Sequence, residues 1–400
     1  MKYKNAVKIL PPDLIEQLQQ YVQGEYLYVP IKGREVHTNM TDYALEVQKR
    51  DEHIYTNHLQ GVSNAELAHK YALSESSIRR IIIKERKRFE KMNEEILGIL
   101  NMWNIENKEI KQIYDSAWQV GDAYVLKIYD NPDNMERNIR LLSILSGLGI
   151  PVADLIYNKE NRTYSRDTDK YYILTEKLKG NNIVSSRQLE ELSFRMGRIL
   201  AELHKAFLEC EKQEDFWENS LLQEMKGWIK DALEEDGWIH VSKNLFEDTL
   251  VNLEKGYDTL PVQLIHRDVH FGNFLFEEER FSGYIDFDLS QKNIRIFDLC
   301  YFLLGLLCEE EALVVTEEKW FQVLRNVFQG YTAINPLQLQ EIQAVPYVMK
   351  SIELLFAAWF LGQKDMKCCE DAVNILRFID DNTERIRKEL RIFCKKEYGS

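Results

Sequence analysis

The 400-residue chain has no uninterrupted apolar run of about 18 residues, and its first stretch, MKYKNAVKILPPDL, has neither a long apolar core nor a small-residue cleavage site. Membrane spanning and secretion are not expected, and the reading is of a cytoplasmic protein. The six cysteines, Cys210, Cys300, Cys308, Cys368, Cys369 and Cys394, show no repeated CxxC spacing and no histidines at zinc-finger distances, so reduced thiols are expected. There is also no Walker A lysine loop and no GxGxxG stretch, so a phosphate-binding site would have to be built from something else. Basic residues are in deficit, and unevenly. Residues 1–95 hold 15 Lys and Arg against 14 Asp and Glu, which leaves 36 against 51 for the remainder. The acidic field of the larger part would favour a cationic small substrate and repel DNA, although it would serve solubility equally well.

What the sequence does contain is concentrated in Leu264 to Leu289, LIHRDVHFGNFLFEEERFSGYIDFDL. An apolar run ends at Ile265, a polar loop carries His266, Asp268, His270 and Asn273, and a second apolar run, Phe274 to Phe276, follows. A third short run, Tyr284-Ile285, ends on Asp286. Strand, loop, strand is the expected pattern, with Asp268, Asn273 and Asp286 converging at one end of a small sheet. Phosphoryl transfer needs a carboxylate to orient and deprotonate an attacking hydroxyl, and oxygen ligands to hold Mg²⁺ against phosphates. Asp, Asn five residues on, and Asp beyond a hairpin supply all three.

HRDVHFGN followed by IDFDLS resembles the signature of the aminoglycoside phosphotransferase and choline kinase superfamily, which has the protein-kinase fold. The kinase pattern H-R-D-x-x-x-x-N fits letter for letter, and His270 and Gly272 fit the small-molecule branch. The resemblance implies Asp268 as catalytic base, Asn273 and Asp286 as Mg²⁺ ligands, and ATP or GTP as co-substrate.

Upstream, from Glu109, apolar residues alternate with polar ones through EIKQIYD, AWQVG and AYVLKIYD, with Gly121-Asp122 as a hairpin turn. Lys127 is a cation amid Val125, Leu126 and Ile128, and burying it without phosphates or a carboxylate partner would be costly. Its expected partner is Glu136, at the start of a helix that ends in the glycines and proline near residue 150. Since no glycine-rich loop is present, phosphate contacts fall to the Ser116 hydroxyl and backbone amides. Tyr171 to Thr175 is a further strand, and the resemblance implies that the backbone from Glu176 to Leu178 meets the purine as the hinge between lobes. Leu189 to Phe207 has helical spacing, with His204 as a structural residue, and Asp298 is read as a helix cap or an anchor of the catalytic loop. Glu224, Asp231, Glu234, Glu235, Asp236 and Glu247 are candidates for binding ammonium groups.

The N-terminal part reads differently. Pro12 to Tyr21 and Thr41 to Leu59 have helical patterns, and Tyr26 to Ile31 is an extended run. Ser63 with Glu66 forms a capping box, and Ser74 caps another helix a few residues later, which together make a helix-turn-helix packed through Leu67, Ile78, Ile81 and Ile82. Ser76, Ser77, Arg79, Arg80, Lys84, Arg86, Lys87 and Arg88 suit base edges and phosphates. Through NAVKILPPDLIEQLQQYVQGEYLYVP and SNAELAHKYALSESSIRRII this part is similar to the Mor-type transcription-activator family, which implies DNA binding through residues 63–90 and a homodimer.

The expected architecture is therefore α+β: an all-α helix-turn-helix domain (1–92), then a bilobal kinase-like fold with a small β-sheet N-lobe and connector (93–178) and a mainly helical C-lobe (179–400). The expected function is transfer of the γ-phosphate of ATP or GTP to a hydroxyl of a small cationic acceptor such as an aminoglycoside. The alternative is a DNA-binding regulator whose kinase-like part senses a ligand without turnover.

Overall fold

The computed structural model describes residues 42–106, 108–114, 116–182, 189–278, 280–308 and 316–393. The patterns at Pro12 to Tyr21 and Tyr26 to Ile31 lie outside these residues. The chain divides into two compact units, Met1–Glu95 and Ile96–Ser400.

In the first unit α1 spans Asp42–Leu59, α2 Asn64–Lys70 and α3 Glu75–Leu100. The capping box forms: Ser63 Oγ accepts the Glu66 amide, and the Glu66 carboxylate accepts the Ser63 amide at 3.0 Å. Ser74 Oγ accepts the Ser77 amide at 3.1 Å. Ile54, Tyr55, Leu67, Ile78, Ile81 and Ile82 form the core, so the period-3.6 pattern is what buries these helices against one another. The connector expected at the start of 93–178 is the C-terminal end of α3, followed by a 3-10 turn, Asn101–Trp103.

The second unit begins with strands β1 (Ile110–Tyr114), β2 (Ala117–Val120) and β3 (Tyr124–Tyr129), then α4 (Pro132–Gly147), β4 (Tyr164–Asp167) and β5 (Lys170–Glu176). They make one antiparallel sheet in the order β1-β2-β3-β5-β4. β3 is its central strand, with Lys127 opposite Ala117 on one side and Ile173 on the other. The chain then crosses to the helical lobe at Gly180, whose φ of +104° no side chain adopts readily; a Cβ there would lie 2.7 Å from the Phe276 carbonyl oxygen.

That lobe contains α5 (Leu189–Glu211), α6 (Leu221–Glu224), α7 (Lys230–Glu235) and α8 (Lys243–Glu254), then β6 (Val262–Ile265), β7 (Phe274–Glu277), β8 (Arg280–Tyr284) and β9 (Gln291–Ile294). It closes with α9 (Ile296–Gly305), α10 (Glu317–Thr332), α11 (Leu339–Gln363), α12 (Met366–Asp381) and α13 (Thr383–Leu390). The expected single small sheet is two separate ribbons, because β6 pairs with β9 and β7 with β8. Residues 266–273 thus lead from one ribbon to the other. α11 has the length and apolarity of a membrane span, but 67% of that stretch is buried by its neighbours, and it serves as the lobe's core helix.

α5 and α10 cross at two glycines. A Cβ on Gly197 would lie 2.0 Å from the Val327 carbonyl oxygen, and one on Gly330 would lie 2.0 Å from that of Phe194. Both obstacles are backbone, so the helices would have to separate. Gly197→Ala should lower the unfolding free energy by roughly 1–3 kcal/mol or more; an unchanged denaturant midpoint would show that the crossing can relax.

Candidate active site

The loop after β6 is fixed from beneath by Asp298, in the first turn of α9. Asp298 is fully buried; its carboxylate accepts the backbone amides of His266 and Arg267, each at 2.8 Å, and His204 Nε2 at 3.0 Å. The other nitrogen of His204, Nδ1, lies 2.7 Å from Tyr331 Oη. This is the anchoring role read for Asp298, with His204 as a support. Arg267 has φ +68°, a left-handed conformation that a non-glycine residue keeps only when its surroundings impose it. Its guanidinium donates to Glu224 at 2.8 and 3.0 Å. His266 Nε2 meets the Ile285 carbonyl at 3.0 Å, which ties this loop to the one carrying Asp286.

Asp268 is held on both oxygens. Tyr301 Oη, on α9, donates to Oδ1 at 2.8 Å, and Asn273 Nδ2 donates to Oδ2 at 3.0 Å and to the Asp268 carbonyl at 2.8 Å. His270 Nε2 stands 3.6 Å from Oδ2. His270 Nδ1 accepts the Gly272 amide at 3.1 Å, with the ring folded so closely over residue 272 that a Cβ there would lie 2.5 Å from Cε1. Burial raises the Asp268 pKa, but His270, Tyr301 and His266 outweigh it and hold the group down at about 2. It is a carboxylate throughout the neutral range.

Lys127 reaches the site from β3. Its ammonium lies 2.8 Å from Asp286 Oδ1 and 2.5 Å from Asp288 Oδ2. Burial opposes its charge, yet Asp288 and Asp286 outweigh burial and raise its pKa. Asp288 also accepts Tyr129 Oη at 3.0 Å and the side-chain amide of Asn138.

The expected Lys127–Glu136 pair is not present. Glu136 is exposed and binds Arg140 at 3.0 Å. The reason is helix rotation: α4 buries Met135, Asn138, Leu141, Leu142 and Leu145, so Asn138 faces the site while Glu136, one residue from Met135, points away. Ser116 is exposed in the turn before β2, and its carbonyl accepts the Ile128 amide at 2.8 Å. The amides of Glu176 and Lys177 are already donated, to the carbonyls of Asp154 and Ala123 at 2.8 and 2.7 Å. A nucleotide at the hinge would therefore meet the backbone nearer Leu178, which packs over Gly283. The residues missed in the sequence are Tyr301, Asp288 as a partner of Lys127, and Asn138. Asn138 had a signal, since it sits at helical spacing from Met135 and Leu142.

The donor set suits a divalent cation that arrives with phosphates. Asn273 turns its amide nitrogen to Asp268, which leaves its carbonyl oxygen for a ligand, and Asp286 is exposed with Oδ2 unused by Lys127. These are hard oxygen donors. Among the described residues no group of three or more His, Cys, Asp or Glu is arranged to hold a metal without such help.

The known proteins to which this chain is similar include kinases. A homoserine kinase of Polaromonas naphthalenivorans (strain CJ2) is 22% identical over 274 residues, covering 66% of this chain and 83% of that protein. An amicoumacin kinase solved in complex with AMP-PNP, Ca²⁺ and Ami shares the fold (TM-score 0.58, 17% identity, 75% of this chain and 96% of that one). So does a microcompartment-associated aminopropanol kinase (TM-score 0.53, 15% identity, 73% and 98%). Residues 4–97 match the Mor transcription activator family. Residues 108–341, more than half of the sequence, match the phosphotransferase enzyme family, and the chain belongs to that family.

Proposed function

We propose that residues 96–400 transfer the γ-phosphoryl group of ATP or GTP, with Mg²⁺, to a hydroxyl of a small cationic acceptor, the aminoglycosides being one such class. The supporting observation is the convergence itself: Asp268 and Asn273 locked together on one loop, that loop tied to the Asp286 loop through His266, and Lys127 bridged to Asp286 at 2.8 Å. The cation would be held by Asn273 and Asp286, and when bound it would neutralise charge developing on the phosphates. Asp268 orients the acceptor hydroxyl and takes its proton as the new oxygen–phosphorus bond forms. The bond to the bridging oxygen breaks and nucleoside diphosphate leaves with the electron pair. Lys127 turns from the aspartates to the nucleotide phosphates. With a pKa held near 2, Asp268 acts more by orientation than by basicity.

The test is to incubate the full chain with Mg²⁺ and each nucleotide, and to follow diphosphate release with homoserine, choline, aminopropanol and kanamycin. Release that depends on an acceptor and is abolished by EDTA is the expected result. Turnover that no acceptor stimulates, despite tight nucleotide binding, would favour a ligand-sensing role.

A second reading concerns residues 63–90. On α3, Arg80, Lys84 and Lys87 recur at helical spacing on one exposed stripe, and Arg80, Arg86 and Lys87 have no acidic partner among the described residues, whereas Arg79, Lys84 and Arg88 pair with Glu75, Asp51 and Glu52. With the match of residues 4–97 to the Mor family, this stripe is the basis for proposing contact with DNA phosphates. Gel retardation that weakens steeply between low and moderate salt would support it, and absence of any shift at low salt would overturn it.

A further inference from the structure

Two polar groups on one face of α9 meet the loop that carries Asp268. Asp298 and Tyr301 stand three positions apart, about one helical turn, in a helix that is otherwise apolar from Ile296 to Leu304. Asp298 accepts the amides of His266 and Arg267, and Tyr301 Oη donates to Asp268 Oδ1 at 2.8 Å. The Tyr301 ring stacks on Phe297, with centroids 6.0 Å apart and planes 25° apart, and leans on Phe356 of α11 at 5.8 Å. Phe297 in turn lies 5.3 Å from the Arg267 guanidinium. A phenylalanine at 301 would satisfy this packing equally well. The hydroxyl is the part that packing does not explain, and its partner is the carboxylate. Burial and the Asp268 charge push the phenol pKa well up, so the group stays a donor.

A carboxylate held by one hydrogen bond still swings about its Cβ–Cγ bond, because that torsion is broad. A donor on each oxygen fixes its plane. Asn273 Nδ2 supplies the one on Oδ2, at 3.0 Å, from within the same loop, and Tyr301 supplies the one on Oδ1 from a separate element. Each oxygen keeps a second lone pair with which to meet an acceptor hydroxyl. Asn273 also bonds the Asp268 carbonyl at 2.8 Å, so it moves with the loop and cannot by itself set the carboxylate against the rest of the lobe. Tyr301 can, because its ring is wedged between two other aromatics.

We propose that Tyr301 is a positioning residue for phosphoryl transfer, whose hydroxyl fixes the plane of the Asp268 carboxylate toward the acceptor hydroxyl while the proton itself passes to Asp268. This rests on the phosphotransfer reading and adds a residue to it. The sign of the effect is diagnostic. A donor on Oδ1 draws charge away from the base, so if Asp268 worked by basicity alone, removing the Tyr301 hydroxyl would speed transfer. If Asp268 works by orientation, removing it slows transfer.

The experiment follows diphosphate release by the full chain with Mg²⁺, ATP or GTP, and homoserine, choline, aminopropanol or kanamycin, comparing wild type, Tyr301→Phe, Asp268→Ala and the double variant. Tyr301→Phe should lower kcat roughly ten- to a hundredfold, the range for one hydrogen bond to a charged group, and leave the nucleotide KM within about twofold. In the Asp268→Ala background the same substitution should cost nothing further, since no carboxylate remains to be oriented. A tyrosine that merely supports the fold would slow both backgrounds alike. Urea unfolding checks that each variant is folded. Should Tyr301→Phe fail to fold, Phe356→Leu, which keeps the hydroxyl but loosens the ring, is read in its place: a fall in kcat at unchanged nucleotide KM supports the assignment, and no fall overturns it. A Tyr301→Phe kcat at or above that of wild type, a loss confined to the nucleotide KM, or equal losses in the two backgrounds would each overturn the role of Tyr301 while leaving phosphotransfer intact. Wild-type protein that releases no diphosphate with any acceptor would instead overturn the phosphotransfer reading, and the role of Tyr301 would fall with it.

Discussion

Asp268→Ala is expected to lower kcat by about 10²–10⁴-fold or more, the range for loss of a positioned proton acceptor, while nucleotide affinity changes little. The separation follows from geometry. Lys127, Asp286 and Asp288 make their ion pairs without Asp268, whose own partners are Tyr301, Asn273 and His270. Asp268→Asn should be nearly as damaging, because a neutral amide can still pair with Asn273 and Tyr301 but cannot take the proton of the attacking hydroxyl. pH gives an independent check. With its folded pKa held down at about 2, below the ordinary carboxylate value of 3.8, Asp268 stays ionised above about pH 4. The wild-type rate should therefore show no acid limb from this group between pH 5 and 8. By the same sign, its contribution to stability is complete above pH 4 and is lost as the pH falls toward 2. Full activity in Asp268→Ala, measured as acceptor-dependent diphosphate release, would remove the residue from the reaction.

The parts of this site that could be read in the sequence are those fixed by short-range geometry. Asp268 and Asn273 share one loop, so their spacing nearly determines their contact. Lys127 announces itself as a cation flanked by apolar residues on a strand, and that strand is central in the sheet. The capping box at Ser63, the Ser74 cap and the periodic apolar positions of the first unit were legible for the same reason. What was not legible depends on how elements rotate and dock. A shift of two positions on α4 separates Glu136, which binds Arg140, from Asn138, which reaches Asp288. β6 pairs with β9, beyond the intervening β7–β8 hairpin, and not with the strand that follows it in the sequence. Tyr301 looks like one more apolar position in LCYFLLGLL until α9 is set against the loop 33 residues earlier.

Asp298→Ala should produce the largest loss of stability at a single polar residue, about 3–5 kcal/mol, the usual cost of removing one member of a buried hydrogen-bonded charge cluster. Total stability of a domain is of order 5–15 kcal/mol, so the variant would sit close to its unfolding threshold. The reasoning is an accounting of donors. Asp298 is fully buried and accepts the amides of His266 and Arg267 at 2.8 Å and His204 Nε2 at 3.0 Å. Alanine leaves all three without an acceptor where water cannot easily replace it, and each orphaned group costs roughly 1–3 kcal/mol. Those two amides also hold Arg267 at φ +68°, so their release lets the backbone relax and moves Asp268, the next residue, off the acceptor hydroxyl. Activity should consequently fall even in the fraction of Asp298→Ala that remains folded, whereas Asp298→Asn, which keeps one acceptor oxygen, should lose less of both. Urea titration gives the stability term, and kcat measured well below the transition gives the positioning term. Loss of stability under 1 kcal/mol, or a folded Asp298→Ala enzyme with unchanged kcat, would mean that the loop is held by its other ties, His266 to Ile285 and Arg267 to Glu224.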